Sequence, residues 1–529
     1  MKDYFGEIIS GSFSEGLWAR FSEQKKQTLS LNIADFVVIE DRGTSFFSAI
    51  SDISLSENFR KFFEEKIPDL LKEALLKESS YLLKLEPLLV FQEDGKVIKA
   101  RSTPSFLAPV RLALLEDFQK VFGRSTREHF LLGAFKDTSF SFLLNLKTFC
   151  ERSNGIFGKS GTGKSFITRI ILAGILAKEL ASVLVFDMHN EYGWSAYSET
   201  EGRIFGLKEL FPSKVKVFAL DEESALRRNI QPDRIVKIGL NQITPEDLLL
   251  LGETLNLTAS AADTAYILEK NSGEKWLKEL LSWDSYTTSQ QARSLAILEN
   301  SLFALQRKLR QLEKLSYIKD SQDDSVVEEI LGHLRRKESV VLDFGRFQSE
   351  FSYLLVSNIL SRRIYESYRR ESELAQDRGG RVWPLILVIE EAHNFLKPEI
   401  ASQTIFGRVA RELRKFGVTL LVVDQRPSQI DREVLSQLGT KICYPLSEEK
   451  DIEAVFVGAE KASVLKSMLS TLAPKEQALI FGYALPVPLI VDVRKYDKHF
   501  YEEIKGNFLK GQAKITTSVE KSQDLLFPE

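Results

Sequence analysis

Residues 158–165, GKSGTGKS, match the pattern G-x-x-x-x-G-K-[ST] at every fixed position. This pattern is typical of a loop between a buried strand and a helix, in which backbone N–H groups surround phosphate oxygens. The flanking residues agree, because Asn154–Phe157 is a candidate strand and residues 166–180 form an apolar helix whose N-terminus would face an anion. We expect Lys164 to reach the β- and γ-phosphates and Ser165 to bind Mg²⁺. The segment therefore predicts an ATP site in an α/β fold.

A glycine-rich turn that matches this pattern by chance is the alternative. A chain of this length and average glycine content would contain such a match in roughly a few per cent of cases. The candidate strand and helix on either side lower that frequency further. The predicted nucleotide-binding residues are Gly158, Lys159, Ser160, Gly161, Thr162, Gly163, Lys164, Ser165 and Phe166.

The chain has 529 residues, 43% of them apolar and 27% charged, which is typical of a globular protein with more than one domain. It has two cysteines and no Cys/His cluster, so neither a disulfide framework nor a zinc site is expected. No apolar run reaches membrane length and the first residues lack a signal-peptide pattern, which predicts a cytoplasmic protein without membrane contact. The net charge of −3 neither indicates nor excludes a nucleic-acid partner, since a local basic surface is sufficient.

The pattern of apolar runs changes along the chain and predicts two domains. Residues 1–130 contain short β-prone runs broken by turn residues, which predicts a small antiparallel barrel with a charged helical insert at 56–84. From 131 to 495, short apolar runs alternate with longer helical stretches, as in βαβ units around a mostly parallel sheet. Residues 245–335 lack strand signals and predict a helical insertion, and residues 496–529 form a polar tail. The predicted fold class is an α/β ATPase core preceded by a barrel-like domain.

The second domain contains the runs that we predict to be strands of its sheet. The polar stretch 371–381, ESELAQDRGGR, is predicted to be a surface loop between two of its elements. The predicted strands are 156–157, 182–186, 215–219, 339–342, 385–389, 418–423, 441–444 and 478–481.

Two further apolar runs end in polar residues suited to phosphate chemistry. Residues 384–391, PLILVIEE, end in two carboxylates, and we assign Glu390 to the Mg²⁺ side and Glu391 to the attacking water. An ordinary strand that ends in a charged turn is about equally frequent, but the P-loop makes that alternative much less probable. Residues 418–425, VTLLVVDQ, end in Gln425, which is placed to sense the γ-phosphate.

The helix before the last of these runs carries Arg408, Arg411 and Arg414, and Gly417 follows it as a predicted C-cap. Cations near a helix C-terminus complement its dipole, which is one explanation. An arginine offered to the phosphates of a neighbouring subunit is the other. Spacing alone favours the first explanation.

These motifs together resemble the HerA-type ATPases, relatives of the FtsK-like translocases. The resemblance is strong over 150–495, and the earlier residues resemble the small barrel that precedes this core in the family. The stretch RELRKFGVTLLVVDQRPSQIDREVLSQLGTKI is the most specific of the similar segments. The others are GIFGKSGTGKSF, VLVFDMHNEYGW and ILVIEEAHNF.

The family resemblance implies a homo-hexameric, ATP- and Mg²⁺-dependent pump with a RecA-like core that moves double-stranded DNA. Such proteins often work with a NurA-type nuclease in processing DNA ends. By the same resemblance Lys164 and Ser165 are the P-loop pair, Glu391 is the catalytic carboxylate and Gln425 is the sensor.

The resemblance also assigns two arginines to the boundary between subunits. Arg414 matches the arginine that acts in trans, with Arg411 as a rival, and Arg152 matches a second arginine near that boundary. The chain departs from the family at Glu390, where aspartate is usual, and at 188–190, where Met-His-Asn replaces Pro-His-Gly. Neither change removes a charge that hydrolysis needs.

The expected function is therefore ATP-driven translocation on double-stranded DNA, in DNA-end processing or in defence. A ring ATPase that remodels protein or drives an anti-phage effector is one alternative, and DNA-stimulated hydrolysis would distinguish the two. A nucleotide-gated scaffold with little turnover is another alternative, supported only by Glu390, and a phosphate-release assay would test it.

Overall fold

The computed structural model describes residues 3–22, 30–55, 80–123, 125–198, 202–249, 251–252, 254–321, 326–377, 379–399, 401 and 404–506, with the backbone alone at 22, 55, 80, 198, 249, 259 and 411–414. The chain forms two compact units. The first contains Met1–Asn145 and Thr440–Arg494, and the second contains Leu146–Gly439 and Lys495–Glu529.

The strands are numbered along the chain. They are β1 (Tyr4–Ser12), β2 (Gly16–Ser22), β3 (Phe36–Asp41), β4 (Thr44–Leu55), β5 (Ser80–Phe91), β6 (Val97–Lys99), β7 (Pro109–Leu112), β8 (His129–Phe135), β9 (Ser141–Asn145), β10 (Asn154–Phe157), β11 (Ser182–Asp187), β12 (Ala196–Ser198), β13 (Gly202–Ile204), β14 (Val215–Ala219), β15 (Arg234–Ile235), β16 (Ile238–Gly239), β17 (Ile318–Lys319), β18 (Ser339–Asp343), β19 (Leu385–Glu390), β20 (Val418–Asp424), β21 (Thr440–Cys443), β22 (Gln477–Gly482) and β23 (Leu489–Val493).

The α-helices are numbered in the same way. They are α1 (Leu115–Phe122), α2 (Leu146–Cys150), α3 (Lys164–Lys178), α4 (Leu207–Leu210), α5 (Glu222–Arg227), α6 (Pro245–Leu249), α7 (Ala259–Ser272), α8 (Trp276–Ser282), α9 (Ser285–Ser294), α10 (Glu299–Leu309), α11 (Val326–Arg335), α12 (Glu350–Asp377), α13 (His393–Leu396), α14 (Ile405–Glu412), α15 (Arg432–Gln437), α16 (Glu449–Val455) and α17 (Ala462–Ser470). Short 3₁₀ turns lie at Leu240–Gln242, Gly273–Lys275, Arg310–Lys314, Leu413–Phe416 and Pro427–Gln429.

A closed barrel of six antiparallel strands begins the first unit. The strand order is β2-β1-β7-β3-β4-β5, and pairing of β2 with β5 closes it. Arg42 and Gly43 join β3 to β4 with φ of 39° and 87°, the two positive values that a tight hairpin turn needs. The predicted barrel is confirmed. Of the predicted helical insert, residues 56–79 lie outside the described part of the chain, and residues 80–84 belong to β5.

Five further strands of the first unit are also antiparallel. The pairs are β21 with β22, β22 with β23, β23 with β8 and β8 with β9. The sequence predicted strands at 441–444 and 478–481, and the structure forms β21 and β22 there, but it pairs these two strands antiparallel and groups them with the first unit. The short 483–488 connection explains the antiparallel pairing of β22 with β23, since parallel neighbours need a long crossover.

The second unit is built on seven parallel strands in the order β15-β14-β18-β11-β19-β20-β10. The five adjacent strands β18, β11, β19, β20 and β10 are buried along their whole length, which explains why the sequence shows them as continuous apolar runs. Phe157 pairs with Asp424 and Glu390 with Val423, so the carboxyl ends of β10, β20 and β19 lie side by side. The predicted nucleotide site lies at this edge of the sheet.

Two regions of the second unit test the predictions for helices and loops. Residues 245–335 contain α6 to α11, with the two-residue strand β17 among them. Residues 371–377, predicted as part of a loop, continue α12 instead, because no helix-breaking residue precedes Gly379 and Gly380. No helix within the described residues is long and apolar enough to cross a membrane.

Candidate nucleotide-binding site

The P-loop connects the carboxyl end of β10 to the first turn of α3. Gly161 has a φ of 73° and Gly163 a φ of 110°, and these positive values favour glycine over any other residue. Gly163 is the N-cap of α3, which begins at Lys164. The loop therefore presents backbone N–H groups and a helix N-terminus to a cavity of about 520 Å³.

The Lys164 ammonium group is held by the loop itself. Its Nζ donates to the carbonyl oxygens of Gly158 at 2.7 Å and Lys159 at 2.8 Å. Burial lowers the pKa of Lys164, and the carboxylates of Glu391 and Asp424 oppose that shift. The ammonium group therefore lies at the cavity wall in contact with neutral acceptors that a phosphate can replace.

Glu390 ends β19 as a buried carboxyl group that lines the cavity. Its Oε1 accepts a 2.8 Å hydrogen bond from the Tyr192 hydroxyl. Its Oε2 is buried without a hydrogen-bond partner among the described residues. Burial, together with the nearby charges of Asp187 and Glu191, raises the pKa of Glu390 to about 8.

Glu391 follows with a φ of 45°, so the chain turns sharply at this residue. Gln425, which follows β20, donates from Nε2 to both carboxylate oxygens of Glu391, at 3.1 and 3.2 Å. Lys164, Glu391 and Gln425 therefore line the same cavity from three different elements. The structure thus brings together side chains that lie more than 200 residues apart in the sequence.

Asp424, which sequence reasoning missed, and His393 join this arrangement. Asp424 lines the cavity and accepts hydrogen bonds from the backbone N–H of His393 at 2.7 Å and of Arg426 at 2.6 Å. The His393 Nδ1 lies 2.9 Å from Asp424 Oδ2 and 3.6 Å from Glu391 Oε2. Burial lowers the pKa of His393, but the hydrogen bond and charge of Asp424 outweigh it and raise the pKa overall. The polar end of the run VTLLVVD was the available sequence signal for Asp424.

The loop after β11 forms another wall of the cavity. The Asp187 carboxylate accepts hydrogen bonds from the backbone N–H groups of Glu191, Tyr192 and Gly193 at 2.7, 2.8 and 3.2 Å. Arg169, on α3, donates to the Glu191 carbonyl oxygen at 3.0 and 2.7 Å. These bonds fix Tyr192 beneath Glu390 and place the Glu191 side chain at the cavity.

Comparison with known proteins agrees with this geometry. A family model described as "Helicase HerA, central domain" matches residues 130–364. The "DNA double-strand break repair helicase HerA" of Sulfurisphaera tokodaii is 27% identical over 471 residues, covering 84% of this chain and 84% of that protein. The HerA helicase of Pyrococcus furiosus is 26% identical over 398 residues, covering 70% and 69%.

This chain is similar to HerA-type P-loop ATPases over most of its length. A solved structure of VirB4 from Thermoanaerobacter pseudethanolicus is also similar, with 15% identity, a TM-score of 0.44 and coverage of 70% of this chain and 98% of that one.

Of the arginines predicted to act between subunits, Arg152 is not among the described residues that line the nucleotide cavity. Arg152 precedes β10, so it lies at the edge of the sheet opposite to the P-loop. Arg408 lines a different cavity. The side chains of Arg411 and Arg414 lie outside the described residues.

Tyr192→Phe is expected to lower the free energy of unfolding by about 1–3 kcal/mol, because it leaves the buried Glu390 carboxyl group without its hydrogen-bond donor. Chemical denaturation followed by circular dichroism measures this change. Tyr286→Phe is the matched control, since its side chain is 77% exposed, and it should stay within about 0.5 kcal/mol of the parent. Equal stability of the two variants would show that the Tyr192 hydroxyl does not support Glu390.

Proposed function

We propose that this protein couples ATP hydrolysis to translocation on double-stranded DNA as a homo-hexameric ring with a RecA-like core. The observation that carries the proposal is the meeting of Lys164, Glu391 and Gln425 in one cavity at the carboxyl edge of a parallel sheet. Its relatives are named DNA double-strand break repair helicases, which supports DNA as the partner.

In the proposed reaction the phosphates of ATP replace the loop carbonyls as partners of Lys164. The backbone N–H groups of 158–165 and the start of α3 surround those phosphates, and Phe166 lines the cavity beside them. The ammonium group then neutralises negative charge that develops on the transferred phosphoryl group. The lysine moves from one set of acceptors to another and stays hydrogen-bonded throughout.

Ser165 and Glu390 are the residues proposed to hold Mg²⁺. Both line the cavity, and the unpartnered Oε2 of Glu390 gives a buried oxygen that a cation or its water can satisfy. When bound, Mg²⁺ neutralises phosphate charge. The residues present therefore fit the cation, although glutamate replaces the usual aspartate of the family.

Glu391 is proposed to accept the proton of the water that attacks the γ-phosphorus. Gln425 holds both oxygens of this carboxylate, so the amide orients the base and lies where it can also contact the γ-phosphate. His393 Nδ1 lies 2.9 Å from Asp424 Oδ2 and 3.6 Å from Glu391 Oε2, so this pair lies beside the same carboxylate. The base is thus fixed by neighbouring strands before nucleotide binds, which reduces the reorganisation needed for catalysis.

A ring would complete each site with residues from a neighbouring subunit. Arg414 is the proposed trans-acting arginine, with Arg411 as the alternative, and Arg152 is proposed as a second boundary residue. The predicted division into residues 1–130, 131–495 and 496–529 remains a proposal. A cytoplasmic location, a role in DNA-end processing or defence, and a partner such as a NurA-type nuclease or another effector are also proposals.

DNA-stimulated ATP hydrolysis tests the proposed function. We expect linear duplex DNA to increase phosphate release and the protein to displace a third strand from a triplex at a rate that depends on ATP. Light scattering should show six chains. Hydrolysis without any DNA response would instead favour the protein-remodelling alternative, and absence of phosphate release would favour a scaffold.

A further inference from the structure

The second unit contains another cavity, of about 520 Å³, that shares no lining residue with the nucleotide cavity. It lies between α12 and α14, beside the start of α6. Four of its lining side chains are arginines, three from α12 and one from α14. They are Arg362, Arg369, Arg370 and Arg408.

Arg362 forms a fixed wall of this cavity and is already neutralised. Its guanidinium donates to both oxygens of the buried Asp247 carboxylate, at 3.2 and 2.9 Å, and to Thr244 Oγ1 at 3.1 Å. Desolvation lowers the pKa of Arg362, but the charge of Asp247 and its hydrogen bond raise it overall. This pair anchors α12 to α6 and leaves the other arginines to face the opening.

The positive charges of the other three guanidinium groups are only weakly neutralised by nearby carboxylates. Within the described residues, the Arg370 guanidinium donates only to the carbonyl oxygen of Glu366 on its own helix, at 3.4 Å. Arg369 has its nearest carboxylate, Glu373, 3.8 Å away on an exposed surface, where such a pair contributes at most a few tenths of a kcal/mol. Arg408 has no side-chain partner among the described residues. Two helices therefore place four guanidinium groups around one concavity.

Two carboxylates also line the cavity, Glu246 and Glu366, so the four arginines outnumber the acids. Glu366 lies 3.8 Å from the Arg362 guanidinium. Burial, and next the charge of Glu246, raise the pKa of the Tyr266 hydroxyl, which places Glu246 near that group. Neither carboxylate makes an ion pair with Arg370 or Arg408 within the part of the chain that the structure describes. The position between these two arginines is consequently open to an external anion.

We propose that this cavity binds a phosphate group through Arg370 and Arg408. Guanidinium groups offer paired N–H donors that match the oxygens of a phosphate, and binding would remove the repulsion between two nearby cations. The phosphate can belong to a nucleic-acid backbone or to a free polyphosphate. This site is separate from ATP hydrolysis, so it stands even if the proposed function fails.

The test compares Arg370→Gln/Arg408→Gln with a control that removes the same two charges elsewhere. Arg227→Gln/Arg336→Gln is that control, because these side chains are 69% and 60% exposed in the same unit and do not line the cavity. Calorimetry measures binding of inorganic pyrophosphate in saturating MgADP, which fills the nucleotide cavity. We expect the dissociation constant to rise at least tenfold in the cavity variant and to stay at the parent value in the control.

Duplex DNA distinguishes the two sources of phosphate. Loss of two backbone contacts should reduce the log–log salt slope of DNA binding by nearly two units in the cavity variant. An unchanged slope with lost pyrophosphate binding would assign the site to a free polyphosphate. Equal pyrophosphate binding by parent and cavity variant, or an equal loss in the control, would overturn the proposal whatever the DNA result.

Discussion

Glu391→Gln is expected to bind ATP with near-parent affinity and to hydrolyse it about 10²–10⁴-fold more slowly. The amide has the size of the carboxylate and still accepts a hydrogen bond from Gln425 Nε2 through its carbonyl oxygen. It cannot accept a proton from water at neutral pH, so the chemical step alone should fail. Fluorescent-nucleotide binding and single-turnover hydrolysis, measured on the same preparation, separate the two effects.

Glu390→Gln is the matched control for that variant. It changes the adjacent residue in the same way and keeps an acceptor for the Tyr192 hydroxyl, but it removes a proposed oxygen ligand of Mg²⁺. Its turnover should recover at raised Mg²⁺ concentration, whereas that of Glu391→Gln should not. Trapping of unhydrolysed ATP by Glu390→Gln, with turnover retained in Glu391→Gln, would reverse the two roles.

Arg414→Ala is expected to bind nucleotide and to assemble, yet to hydrolyse ATP on the order of a thousandfold or more slowly. The backbone of Arg414 lies in the 3₁₀ turn Leu413–Phe416, between α14 and β20. An arginine that only complements a helix dipole there contributes under about 1 kcal/mol, so its loss would barely change the rate. Steady-state hydrolysis by this one variant therefore separates the two explanations by several powers of ten.

Mixing Arg414→Ala with Lys164→Ala tests whether the arginine acts between subunits. In mixed rings some interfaces would join an intact P-loop to an intact Arg414, so part of the activity should return. Arg411→Ala, mixed in the same way, is the control. Absence of recovery after demonstrated subunit exchange would assign Arg414 a role within its own chain, and recovery only with Arg411→Ala would move the assignment to that residue.

The sequence was most informative where chemistry requires a fixed local spacing. The P-loop, the carboxylates after β19 and Gln425 after β20 were all predicted to lie at the ends of buried strands, and the structure places them there. A phosphate-binding loop needs its glycines, lysine and hydroxyl within eight residues, so the motif is contiguous and can be recognised in the sequence. The barrel was predictable for a similar reason, because its turns and alternating runs are local.

Long-range pairing limited the other predictions. The apolar runs at β21 and β22 have the same composition as those of the parallel strands, yet they pair antiparallel in the first unit. The composition of a short apolar run does not indicate the direction of the strand that pairs with it. The continuation of α12 to Asp377 was missed because its polar last turns resemble a loop in composition.

The sequence by itself determined that this chain binds a nucleotide phosphate on a strand–loop–helix unit, and it identified the acids and the amide around it. Only the tertiary structure decided what each of those groups contacts. The fold buries Glu390 under Tyr192, ties Glu391 to Gln425 and adds His393 and Asp424 beside them. The reason is physical: protonation and orientation depend on burial and on partners from distant strands, and both arise only when parallel strands align their carboxyl ends at one edge.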